Sequence, residues 1–234
     1  MKFLELDSPF MQVMNRIADL LILNVLTLIC CIPIFTAGAA FTALHYMLLK
    51  IVRNEESYIV RGFFKSFKQN FKQATIIWLL LLLVAIIFAG DYYVILNSGM
   101  EFGYWFKAVL GAILILVVFT TVMVFPFLAK FSNTVLRTLK NALAVSVLQF
   151  PKTILMLICY AIPVVLGMTF IQIFPIVFLF GISAPAYVSA LLYNKYFKML
   201  EERIMEAQGI KPEVEEDPDR IFSDKLDESL AKED

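Results

Sequence analysis

Acidic residues are missing from almost half of this chain. Residues 102 to 200 contain no Asp or Glu, so paired-carboxylate acid/base chemistry cannot be built in the C-terminal half. There is a single histidine, His45, which excludes a His-based zinc site and a His-Glu-x-x-His arrangement. The three cysteines, Cys30, Cys31 and Cys159, lie inside apolar runs and fit no metal spacing and no disulfide framework. They read as small buried hydrophobes. No Walker loop and no Gly-x-Ser-x-Gly elbow occurs. The sequence therefore assigns no catalytic residue, no cofactor and no metal, and the chain is not expected to be an enzyme. No nucleic-acid partner is expected either.

Basic residues are also missing, but in patches. Segments 91–106 and 153–194 have no Lys or Arg, whereas 50–72 carries Lys50, Arg53, Arg61, Lys65, Lys68 and Lys72. Segment 130–152 carries Lys130, Arg137, Lys140 and Lys152, and the stretch after 194 opens with Lys195, Lys198 and Arg203. The chain is 60% apolar, against about 45–50% for a soluble domain. The excess lies in uncharged runs such as "ATIIWLLLLLVAIIFAG" (74–90) and "AVLGAILILVVFTTVMVFPFLA" (108–129). Continuous apolar runs of about 18 or more residues read as membrane-spanning helices. A barrel would alternate, and in lipid only a helix satisfies its own backbone.

The neutral total hides an asymmetry. Residues 209–234 hold ten acidic and four basic residues, a net of −6, so the rest of the chain carries +6. "KPEVEEDPDR" is charged and broken by proline, and 206–234 is expected to be a disordered cytoplasmic tail behind a helical domain of 1–205. No removable signal peptide is expected at "MKFLELDSPF".

The stretch 17–49 has no acidic or basic residue after Asp19 except His45. As one helix its 33 residues would be about 50 Å long, against a hydrocarbon core of about 30 Å. Pro33 lies midway and ends a helix. Thr36 can cap the next one, and Gly38 lets backbones approach. The expectation is a helix over 9–32, a tight turn at 33–36 and a return helix over 37–53. Keeping positive charge inside then gives an all-α, polytopic bundle of six spans, at 9–32, 37–53, 74–96, 105–128, 152–168 and 173–194. Both termini are cytoplasmic, and the three hairpins have short outer turns. The alternative is five spans with 17–50 as one bent element and the N-terminus outside. Trp78 is placed near the inner end of the third span, and Tyr92, Tyr93, Tyr104 and Trp105 flank the outer loop.

Two inner segments look like amphipathic interfacial helices on the cytoplasmic side. In "RGFFKSFKQNFKQATIIW", Phe63, Phe64, Phe67 and Phe71 share one face, with Arg61, Lys65, Lys68 and Lys72 about a third of a turn away. In 131–152, Val135, Leu136, Leu139 and Leu143 oppose Asn133, Arg137, Lys140 and Asn141. These faces suit lipid anchoring and also a docking partner. Among intramembrane polar groups, Arg16 and Asp19 at i, i+3 are expected to pair. His45 beside Tyr46 reads as an interhelical contact or a pH-sensitive site. Broken helices could arise at Pro33 with Gly38, at Pro163 with Gly167, at Pro175 and at Pro185.

"NRIADLLILNVL" (15–26), "IPIFTAGAAFTALHYMLLKIVRNEE" (32–56) and "FFKSFKQNFKQATIIWLLLLL" (63–83) resemble the YesL-like family of bacterial integral membrane proteins. The Pro-x-x-Thr-x-Gly turn (Pro33, Thr36, Gly38), followed by Ala43, Tyr46 and Lys50, fits the family pattern. The resemblance covers about residues 1–205 and is strongest in the first 80. That family has no settled activity, and its members are often encoded beside carbohydrate ABC-type uptake systems in Gram-positive bacteria. The resemblance implies an accessory role near sugar import in the bacterial cytoplasmic membrane, with an ABC permease or another membrane protein as partner. A small-solute transporter or channel is the alternative. The residues singled out for structural or partner contacts are Pro33, Thr36, Gly38, His45, Lys50, Phe64, Lys65, Phe67, Lys68, Phe71, Arg137 and Lys140.

Overall fold

The architecture is that of a computed structural model, which describes residues 9–55, 58–97, 103–131 and 133–207. The expected acidic tail lies almost wholly outside these residues, as does the middle of the 97–103 loop. Every element is helical: α1 (Pro9–Cys31), α2 (Ala37–Val52), α3 (Ile59–Asn97), α4 (Tyr104–Lys130), α5 (Val135–Leu148), α6 (Phe150–Thr169), α7 (Phe174–Phe180) and α8 (Ser183–Ala207). Short 3₁₀ turns at Ile34–Thr36 and Ile171–Ile173 precede α2 and α7. Five of the helical stretches are long and apolar enough to cross a membrane, and the bent α7–α8 pair makes a sixth if taken as one span. The chain divides into two units, 1–194 and 195–234. The described part of the second, residues 195–207, is helical.

The hairpin read from Pro33 is present. After Pro9 at its first position, α1 runs without Pro or Gly until Ile32 and Pro33 leave helical geometry, and Pro33 is extended at φ −77°, ψ 112°. Thr36 does not cap α2 in the expected way. Its own backbone is helical and it makes no side-chain cap. Instead its hydroxyl donates backward to the carbonyls of Cys30 and Pro33. The Cys30 carbonyl belongs to the last turn of α1, whose acceptors have no intrahelical partner.

α2 is the centre of the bundle. Ala37, Gly38, Ala39, Ala40 and Ala43 are buried in its first half, and small side chains let neighbouring helices come close. Gly38 is the tightest contact. A Cβ there would sit 2.5 Å from the Ala74 carbonyl oxygen and 2.6 Å from the Trp78 Cβ of α3. Phe41, Trp78 and Phe125 form an aromatic cluster joining α2, α3 and α4, with centroids 5.9–6.1 Å apart.

α3 corrects two expectations. The basic amphipathic stretch is no separate interfacial helix: it continues into the span as one helix of 39 residues, about 58 Å long. Nothing between Gly62 and Gly90 interrupts helical bonding. Trp78 is also not at the opposite end from the 33–36 turn. Its indole N–H donates to the Ile34 carbonyl at 2.7 Å, so the tip of the α1–α2 hairpin lies level with Trp78. Nineteen residues of α3, about 28 Å of helix, continue past it.

Proline breaks the chain at fewer places than expected. α4 and α6 run through Pro126 and Pro163. Pro175 and Pro185 sit in the first turns of α7 and α8, where a missing N–H is not needed. The real interruption is Gly181–Ile182, where the path bends by 53° between residues 171–180 and the helix from Ser183.

Candidate functional site

One set of buried polar side chains centres on α2. His45 is 4% exposed and lies between two tyrosines from other helices. Its Nδ1 is 3.1 Å from the Tyr193 hydroxyl on α8, and its Nε2 is 3.3 Å from the Tyr160 hydroxyl on α6. A neutral imidazole has one donor and one acceptor nitrogen, so one tyrosine accepts from the ring and the other donates to it. Ser189 of α8 also hydrogen-bonds Tyr160 and donates to the Pro185 carbonyl. The lone histidine is thus an interhelical knot joining α2, α6 and α8, with both ring nitrogens engaged.

A second knot was not singled out in the sequence. Asn24 of α1 is fully buried and faces the α7–α8 interruption. Its side-chain amide donates to the Phe178 carbonyl at 2.8 Å, and its Oδ1 accepts from the Ile182 and Ser183 amides at 3.1 and 3.0 Å. These are the backbone groups that a helix break leaves without partners, and lipid cannot supply them. The sequence held a clue: Asn24 is the one amide within the apolar run of α1, which a lipid-facing position would not favour. Beside the break, an apolar groove of about 280 Å³ runs between α6, α7 and α8, lined by Pro163, Leu166, Val177 and Pro185 among others.

Charged groups collect where α2 ends. Asn54 there adopts φ 56°, a left-handed conformation that asparagine tolerates. Lys50 pairs with Glu55 at 3.9 Å and lies over the Tyr46 ring at 5.5 Å. The Arg53 Nε donates to Asn194 at 2.9 Å. Arg16 does not pair with Asp19. It reaches across to donate to Asn54 Oδ1 at 2.6 Å and to the Tyr187 hydroxyl at 3.1 Å, exchanging an i, i+3 contact on one helix for contacts to the turn after α2 and to α8. Asp19 lines a polar cleft of about 660 Å³ with Gln12, Asn15, Arg16, Asn54 and Glu55. A smaller cleft of about 270 Å³ joins Tyr46, Lys50 and Arg53 to Lys130.

The apolar faces of the two amphipathic stretches are divided between the interior and the outside. On α3, Phe63 is fully buried and Phe64 is 40% exposed, while Phe67 and Phe71 are half-buried. The packed line is Phe63, Ser66, Ala74, Ile77 and Leu81, and Phe63, Phe67 and Phe71 form an aromatic chain. Small residues at the packed positions let α3 approach α2 closely, and this outweighs the larger apolar area of Phe64. Lys65, Lys68 and Lys72 are exposed on this stretch, and Arg61 is exposed with the Tyr58 ring 5.7 Å from its guanidinium. α5 follows the same rule. It buries Thr138, Ala142, Val145 and Ser146, and leaves Leu136 and Leu143 outside with Arg137 and Lys140. The structure brings Pro33, Thr36 and Gly38 together against α3. His45 lies deeper along α2 and Lys50 at its end, and the lysines of α3 and the cations of α5 line the outer surface. Among the described residues, no group of three His, Cys, Asp or Glu side chains could hold a metal ion.

A family model described as "Protein of unknown function, DUF624" matches residues 20–92. The match runs from the apolar half of α1 through α2 and most of α3, and so takes in Asn24, the 33–36 turn, Gly38 and His45. No curated protein and no solved structure matches the chain.

Proposed function

We propose that this chain is a non-catalytic accessory or regulatory protein of the bacterial cytoplasmic membrane, working beside a carbohydrate ABC uptake system. In this reading both termini and the basic segments face the cytoplasm, and an ABC permease or another membrane protein is the partner. The observation that carries it is the row Lys65, Lys68, Lys72, Arg137 and Lys140. These side chains are exposed. Lys50 is drawn to Glu55 and Arg53 to Asn194, whereas the side chains of this row and the adjacent Phe64 face outward. Cations at this density suit anionic headgroups or an acidic face on a partner. The sugar-uptake part rests on the resemblance of the first 80 residues to the YesL-like family, with which the DUF624 match is consistent. Gentle solubilisation from native membranes with a tagged chain tests the proposal. A permease should co-purify with the wild type and be lost when Lys65, Lys68 and Lys72 are changed to Gln; retention of the permease by that variant counts against the basic row.

A specific observation favours a second reading, a small-solute carrier. An interrupted helix pair held by a side chain, here α7–α8 and Asn24, is a common feature of transporters. Purified chain in liposomes, assayed for sugar or ion flux with no other protein present, separates the two readings.

A further inference from the structure

α2 closes with a full C-terminal cap. Asn54 is left-handed at φ 56°. Its amide donates to the Ile51 carbonyl at 3.2 Å, and the Glu55 amide donates to the Lys50 carbonyl at 3.0 Å. These two bonds make a Schellman motif, which satisfies carbonyls that a helix end leaves bare. The Arg53 amide also donates to the Leu49 carbonyl, at 3.0 Å. Cations near a helix C-terminus often serve such carbonyls. Here backbone amides already do so, and the charges of Lys50 and Arg53 are not needed for it.

Both side chains line the cleft of about 270 Å³ that also takes in Lys130, the last residue of α4. Two of the three cations are held in place. The Lys50 Nζ lies 5.5 Å from the centre of the Tyr46 ring. The Arg53 Nε–H donates to Asn194 Oδ1 at 2.9 Å, which fixes the plane of the guanidinium. The lining also includes Leu49 and Ala129, only 4 and 9% exposed, so part of the wall is apolar. Three cations against one carboxylate, Glu55, give the lining a net charge of +2. Glu55 offsets little of it: it is 3.9 Å from Lys50 and its side chain is 45% exposed, where an ion pair is weak. Like charges from two helix ends therefore meet around one space, and the apolar wall strengthens their repulsion. An anion of matching charge relieves it.

We infer that the cleft between the ends of α2 and α4 binds a phosphomonoester group. Such a group carries about −1.5 to −2 charges at neutral pH and three strong acceptor oxygens. Arg53 meets it with a planar fork of donors, and Lys50 and Lys130 meet it as point charges. Glu55, loosely paired, yields Lys50 to the phosphate. Two sources carry this chemistry: the headgroup of an anionic lipid, which basic pockets between membrane helices recognise, and a phosphate free in solution. The inference is independent of the accessory and carrier readings, and Lys65, Lys68 and Lys72 are not among the cleft's lining residues.

Calorimetry on the purified full chain, in neutral detergent at constant ionic strength, measures the binding. Inorganic phosphate is one titrant and short-chain phosphatidic acid the other, with phosphatidylcholine of the same chain length as the blank. Saturation by inorganic phosphate marks a site open to solution, and saturation by phosphatidic acid alone marks a lipid headgroup site. Either result, at one phosphate per chain, supports the inference; saturation by neither overturns it. Lys130→Gln removes one charged donor and should weaken the binding about tenfold. Lys130 is exposed, so its replacement should leave the fold intact. Lys107→Gln, which removes an exposed cation near the start of the same helix, should leave the affinity unchanged; equal weakening by the two variants overturns the inference. Glu55→Gln should tighten the binding, by up to about fivefold, a change that loss of folding cannot mimic. Unchanged or weaker binding by that variant overturns the inference as well.

Discussion

Replacing Asn24 with Leu tests how the α7–α8 interruption is held. Leucine matches asparagine in size and branching, so packing on α1 changes little while both polar functions vanish. Three hydrogen bonds are lost, to the Phe178 carbonyl and the Ile182 and Ser183 amides, at a side chain with no exposure. Side-chain hydrogen bonds in membrane proteins average about 0.6 kcal/mol, which for three bonds sets a floor of about 2 kcal/mol. An unsatisfied buried backbone group costs about 1–3 kcal/mol, so full loss of all three without relaxation approaches about 9 kcal/mol. The expected destabilisation is therefore about 2–9 kcal/mol, read by unfolding in mixed micelles with increasing denaturing detergent. Val25→Leu, next along α1 and 42% exposed, is the control and should change stability by about 0.5 kcal/mol or less. A loss below about 1 kcal/mol for Asn24→Leu, indistinguishable from the control, refutes the reasoning; the break would then be held by apolar packing of α7 and α8 alone.

The glycines give an internal contrast. Gly38→Ala should destabilise by about 1–3 kcal/mol, because the added Cβ meets Ala74 and Trp78 of α3. Gly90→Ala and Gly111→Ala have open space around them and should be neutral or stabilise by about 0.5–1 kcal/mol through helix propensity; thermal midpoints in detergent distinguish the two outcomes. Tyr193→Phe removes the hydroxyl that meets His45 and should cost about 0.5–1.5 kcal/mol in the same unfolding assay, with a null result showing that the His45 knot contributes nothing. The Lys65, Lys68 and Lys72 to Gln variant should keep the wild-type midpoint, as these side chains are exposed. It should lose about 1 kcal/mol of attraction to anionic vesicles per lysine, an effect that fades at high salt.

Much of the fold is legible in local patterns. The uncharged runs specify helices because lipid offers the backbone no partner, and Pro33 stops α1 whatever surrounds it. The same patterns mislead about facing. Phe63, Phe64, Phe67 and Phe71 read as one outward face because periodicity ranks residues by size and polarity, whereas α3 buries Phe63 and packs on α2 where Gly38 meets Ala74. Arg16 and Asp19 looked like a pair because they are neighbours on one helix, but Arg16 finds acceptors on Asn54 and Tyr187 that sequence distance conceals.

What the sequence determined by itself is the solvent of the chain and the material of its elements. An apolar run without charge has one stable form in hydrocarbon, and a stretch without carboxylates cannot do carboxylate chemistry. The tertiary structure alone decided which stretch of α3 the first hairpin packs on, the partner of Asn24 and the two tyrosines at His45. Each depends on which residues, far apart in the chain, arrive at the same level. A hydrogen bond between α1 and α8, or between Trp78 and the turn at Ile34, leaves no periodic trace: periodicity records the axis of one helix, and these contacts are set by the register between several.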